Sequence, residues 1–212
     1  MLSLPLYLLS GLARYRRLLS HEAALKYFLL GALSSAIFLF GAALLYGYSG
    51  SFSFGAIDAA ISAPAQSDTL LVAGMVLVLV GLLFKLGAVP FHSWTPDVYQ
   101  GAPTPVTAFM AVCTKLAAIG ALLRIMFVAL GGARWDWQPV IAGISILTML
   151  VGAVLAIVSK DIKRLLAYSS ITHAGFILTA VVGAATPASG LPTGQIGSVA
   201  GIAMYMAAYG FA

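Results

Sequence analysis

Long apolar runs separated by short polar interruptions set the rhythm of this 212-residue chain. About 20 apolar residues cross the hydrocarbon layer of a bilayer. On that ruler the sequence predicts five complete spans, at 23–47, 69–90, 104–129, 139–158 and 165–185, with partial spans at 1–13 and 197–212. No run alternates with the two-residue period of a barrel strand, and lipid offers bare backbone no hydrogen-bond partner, so the spans are expected to be helices. The expected fold is an all-α, polytopic transmembrane helix bundle. Residues 48–68, rich in Gly and Ser, read as an exposed connection with a short interfacial turn.

Composition strengthens this picture. The chain is 61% hydrophobic and 8% charged, with a mean hydropathy of +1.03, whereas soluble domains carry roughly a quarter charged residues. The lipid bilayer is thus the first expected partner. Eleven basic and 6 acidic residues give a net +5, but no basic face or nucleic-acid motif accompanies it, so nucleic acid is not expected. The charges report loop topology instead. Arg14, Arg16, Arg17 and Lys26 follow the first span and Lys160, Lys163 and Arg164 follow the fifth, while the loop after the second carries Asp58 and Asp68. Loops one, three and five are expected on the cytoplasmic side of a multi-pass membrane protein. The single Cys113 and the scattered His21, His92 and His173 supply neither an iron–sulfur ligand set nor a local metal motif, so no cofactor is expected in this chain. The first segment lacks the basic start of a signal peptide, and both ends fall inside apolar runs, as in part of a longer polytopic chain.

One stretch breaks the pattern. "FKLGAVPFHSWTPDVYQGAPTPV", residues 84–106, places a lysine in an oily run and follows it with four prolines, a histidine, a tryptophan and an aspartate. Pro90 is expected to end or kink the preceding span, because it lacks an amide donor. Thr95 reads as a helix cap with Pro96 as first residue and Asp97 in the first turn, Gly101 as the stop, and Thr104 and Pro105 as the next cap and start. Two arrangements fit: a surface hairpin anchored at the interface by Trp94 and Tyr99, or a discontinuous membrane helix whose broken middle lines a wet cavity.

The buried cations weigh on that choice. Lys115 lies 11 residues into its span, so at 1.5 Å per residue its backbone is roughly 16 Å from the nearer end, beyond snorkelling reach. An ammonium there costs about 2.5–3.5 kcal/mol on insertion scales, so it should face a polar interior, either as a proton carrier or paired to a carboxylate on another helix. Lys85, five residues before Pro90, either snorkels or sits buried beside the break. Buried lysines joined by water can pass protons, which makes protons and internal water further expected partners. His173, beside Ser169, Ser170 and Thr172, is a relay candidate or a neutral imidazole bonded between helices. His92, next to the break, is a relay candidate or an interface residue. Arg124 is expected to snorkel, Glu22 and Lys26 to form a one-turn pair, and "GALSSAIFLFGAALLYG" to pack closely through its small residues.

The break motif, followed by "CTKLAA" and "SKDIKRLLAYSSITHAGF", resembles the subunit N family of the proton-pumping NADH:quinone oxidoreductase, respiratory complex I. The likeness runs from "SLPLY" at residue 3 to the end of the chain. It implies an antiporter-like fold of about fourteen spans built as two inverted repeats, each with a discontinuous helix. Residues 1–129 would then be most of the first repeat and 139–212 the start of the second. The resemblance implies that Lys85 and Lys115 lie on the proton path with His173, that other membrane subunits of complex I are partners, and that flavin and iron–sulfur clusters sit in partner subunits. In that family a glutamate pairs with the broken-helix lysine, and its position falls just before Met1. The rival readings are a subunit of a multisubunit cation/proton antiporter, which shares the fold, and a structural membrane scaffold.

Overall fold

The computed structural model describes residues 3–12, 18–63, 68–185 and 193–211. Within them the elements are α1 (Ser3–Leu12), α2 (Leu18–Ser49), α3 (Phe54–Ile61), α4 (Asp68–Leu86) and α5 (Trp94–Gly101). After α5 comes a continuous rod, Thr104–Ala129. It consists of α6 (Thr104–Phe109), a π turn (Met110–Thr114), α7 (Lys115–Arg124) and a second π turn (Ile125–Ala129). The remaining helices are α8 (Arg134–Val158), α9 (Ile162–Ala185) and α10 (Thr193–Phe211). Among the described residues, five helices are long and apolar enough to cross a membrane, in agreement with the count from the apolar runs.

Small residues let α2 and α4 touch closely, as their spacing predicts. A Cβ on Gly41 would fall 2.7 Å from the Val78 backbone, and one on Gly81 would fall 2.6 Å from Phe38. Ser34 Oγ also donates to the Gly81 carbonyl at 3.3 Å. Further along, Trp94 stacks on Tyr27 at 4.9 Å, and Ser20 Oγ donates to the Gly101 carbonyl at 2.8 Å. Read from Leu45 back to Ser20, α2 therefore meets first α4 and then α5, in order. The two are halves of one interrupted helix. Val89, inside the interruption, donates its amide to Thr148 Oγ1 at 3.1 Å, and Thr148 sits near the middle of α8. The break lies at mid-depth, which decides for the discontinuous membrane helix over the surface hairpin.

Several boundaries differ from expectation, each for a local reason. The span expected at 69–90 stops at Leu86, and the stop is Gly87 rather than Pro90. Gly87 has φ +76°; its amide donates to the Phe84 carbonyl and that of Ala88 to Leu83. These are the two bonds of a Schellman cap, which needs a left-handed residue at that position. Thr95 is not a cap: α5 begins at Trp94, and Thr95 Oγ1 is buried without a hydrogen-bond partner. Likewise Thr104 is the first helical residue, with Pro103 in the capping position. Trp94 and Tyr99 are core residues, each 3% exposed, and the Trp94 indole donates to the Phe84 carbonyl at 3.0 Å. The helices expected from 23 and 139 begin at Leu18 and Arg134. The expected turn within 48–68 is the two-turn helix α3. Arg14, Arg16 and Arg17 lie outside the described residues.

The main core gathers Leu83, Met126, Leu130, Trp137, Ile141 and Leu178. At one end of the bundle Asp58 Oδ1 accepts the Gly132 amide at 3.1 Å, and the Arg124 guanidinium lies 5.9 Å from the centre of the Phe54 ring. α3 thus closes loops two and four together, which the alternation of loops requires.

Candidate functional site

Lys115 is the first residue after the π turn, and it is 2% exposed. A π turn holds one more residue than an α turn and recurs at functional sites. Within it Thr114 Oγ1 donates to the Met110 carbonyl at 2.5 Å. The Lys115 ammonium donates to the Ser170 carbonyl of α9 at 2.5 Å and lies 5.7 Å from the centre of the Tyr209 ring of α10. Among the described residues it has no carboxylate partner. The paired structural lysine that the sequence left open is therefore not what these residues show.

His173 follows Ser170 by three residues, hence on the same face of α9. Its Nδ1 and the Tyr205 hydroxyl share a hydrogen bond of 2.5 Å, and its ring centre is 5.0 Å from that of Tyr209. Tyr209 therefore touches both Lys115 and His173. The structure brings these two candidates into one cluster. Sequence reasoning missed Tyr205 and Tyr209; the available signal was a pair of tyrosines four residues apart in an apolar run.

Lys85 and His92 belong to the break. Lys85 is half-buried one residue before the end of α4, a helix that packs directly on α7. It is beside the interruption rather than at a membrane surface. His92 stands in the turn itself; its ring lies beside the Pro90 carbonyl, yet its buried Nδ1 completes no hydrogen bond. With Thr95 Oγ1 this makes two orphan polar atoms in one short segment.

A cluster of charged side chains ties α5 to α2 and α9. Asp97 accepts from Lys26 of α2 at 2.9 Å and from Arg164 of α9 at 3.1 Å, and Lys26 also pairs with Glu22 at 2.7 Å. Gln100 bonds Asp161 and Arg164 at 3.2 and 2.9 Å. Asp161 caps α9 by accepting the Lys163 and Arg164 amides, while Lys163 Nζ donates to the Ala102 carbonyl at 2.9 Å. The sequence had assigned Asp97 to the helix dipole and Glu22 to Lys26 alone. The cross-helix partners were invisible because they are 71 and 67 positions apart along the chain.

A family model described as NADH:quinone oxidoreductase/Mrp antiporter, transmembrane, matches residues 1–212. The chain belongs to this family. NADH-quinone oxidoreductase subunit N of Nocardioides sp. is 62% identical over 211 residues, and that of Cutibacterium acnes is 61% identical over 210. The chain spans 39% of the length of each. Among solved members, a chain of respiratory complex I from Thermus thermophilus with bound aureothin superposes with TM-score 0.71 at 49% identity, covering 85% of this chain and 38% of that one. A chain of the Mrp complex from Dietzia sp. gives TM-score 0.75 at 28% identity over 96% of this chain and 37% of that one. Membership of the NADH:quinone oxidoreductase/Mrp antiporter family agrees with the antiporter-like fold and its interrupted helix. Among the described residues no three His, Cys, Asp or Glu side chains gather as a metal site would require.

Proposed function

We propose that this chain is part of a proton-translocating membrane subunit of an NADH:quinone oxidoreductase in the bacterial inner membrane, assembled with the other membrane subunits of that complex. Protons move through Lys85, Lys115 and His173, with His92 in the break, and through internal water; flavin and iron–sulfur chemistry belongs to partner subunits. Residues 1–129 form most of one inverted repeat and 139–212 the start of the next. The observation that carries this reading is Lys115: an ammonium held at mid-depth by a carbonyl and an aromatic face, with no carboxylate among the described residues. An ion pair fixes a charge, whereas neutral partners leave the group able to exchange its proton.

The test is Lys115→Ala in the whole complex. NADH-driven acidification of vesicles is expected to fall by at least roughly tenfold, against the roughly 10²–10⁴-fold that a positioned proton-transfer group contributes, with assembly intact. Unchanged pumping in an assembled complex would falsify the role. The antiporter reading is separated by purification, since a complex I subunit co-purifies with NADH dehydrogenase activity.

A further inference from the structure

The side chain between Lys115 and His173 is Tyr209, and its placement is unlike that of an ordinary packing residue. The centre of its ring lies 5.7 Å from the ammonium; the imidazole is 5.0 Å away, centre to centre and tilted by 46°. Proton transfer needs heavy atoms about 2.6–3.2 Å apart, or one bridging water. His173 cannot move closer freely, because Tyr205 four residues earlier on α10 holds its Nδ1. A cation over an aromatic face is stabilised by the ring's negative quadrupole, so the same ring that separates the pair also holds the charged lysine.

We propose that the Tyr209 ring is a gate between Lys115 and His173, closed in this structure. When it swings aside, an N–H bond at Lys115 Nζ breaks and one forms at His173 Nε2, leaving a neutral amine and an imidazolium; the other ring proton stays on Nδ1, which donates to the Tyr205 hydroxyl oxygen before and after the transfer. With the ring in place the two groups cannot exchange and the path does not leak. Tyr209 is thus a positioning residue, and this role rests on the reading of Lys115 as a proton carrier.

The experiment uses the intact complex in sealed vesicles without NADH, reading passive proton entry after a pH jump. Tyr209→Ala is expected to raise that leak roughly tenfold, equivalent to about 1.4 kcal/mol of lost barrier, and Tyr209→Phe, which keeps the ring, to stay tight. Adding Lys115→Ala to Tyr209→Ala should abolish the extra leak, which a merely loosened helix contact would not do. A Tyr209→Ala complex as tight as the parent overturns the gate. So does a leak that survives loss of Lys115, or one as large in Tyr209→Phe. Tyr209→Leu is read in the same way if the alanine variant fails to assemble. Failure of the carrier reading itself shows separately, as unchanged NADH-driven pumping in Lys115→Ala alone.

Discussion

Cations in two regions of this bundle are held in opposite ways. Where α2, α5 and α9 meet, Lys26 and Arg164 share the Asp97 carboxylate, with side chains 42% and 37% exposed. At mid-depth Lys115 is almost fully buried and meets a carbonyl and a ring. A half-exposed ion pair contributes about 0–1 kcal/mol, and its members stay charged in water in any case. The buried ammonium is a burden of about 2.5–3.5 kcal/mol that a carboxylate would relieve. On the function proposed above, the contrast separates tying from carrying: the first group joins three helices with charges that never need to change, and the second would keep a proton that neutral neighbours do not lock in place.

Giving the core lysine what the clasp already has should produce the largest effect. Ser170→Asp adds a carboxylate at the turn Lys115 contacts, and each added 1.4 kcal/mol, about, of hold on the charged form slows release tenfold. NADH-driven acidification should drop roughly tenfold with the complex assembled; full pumping would erase the distinction. The next effect concerns the element that joins the two regions. Gly87→Ala forces a side chain into left-handed backbone, a strain of about 1–3 kcal/mol, and its Cβ would stand 2.8 Å from Thr95 Oγ1. The purified complex should lose thermal stability, and an unshifted melting curve would refute the cap as the cause of the break. The smallest effect is expected at the clasp. Asp97→Asn should weaken the complex by about 1 kcal/mol or less, a difference that disappears near 1 M salt, where the screening length is about 3 Å. Pumping per NADH should not change, and a pumping defect there would merge the two classes of cation.

The spans were legible because apolar length alone determines what can cross lipid, and the break was legible because Gly and Pro cluster there. The agent of the break was harder to identify. Pro90 is the conspicuous helix breaker, but the chain turns three residues earlier, where a glycine satisfies the last carbonyls of α4. Lys115 stood out because no nearby surface could explain it. Tyr205, Tyr209 and the Asp97 partners did not stand out, since a tyrosine in an apolar run looks like packing and an aspartate at a helix start looks like a dipole partner. The tyrosines gain their roles only once α9 and α10 are folded against α7, and Asp97 gains its partners only once α2 and α9 are folded against α5. α2 begins at Leu18, before the apolar run does, and the added turn carries Ser20 to the Gly101 carbonyl and Glu22 to Lys26.

The widened turn at Met110–Thr114 has a further consequence. Successive α-helical residues are about 100° apart around the axis, so one surplus residue re-aims everything beyond it by about that angle. Shortening this segment by a single amino acid would rotate the Lys115 side chain away from Ser170, with every other residue unchanged. When this rod is aligned with a relative that lacks the wide turn, a one-position gap belongs there, and ungapped comparison would pair the wrong face of the helix from that point on.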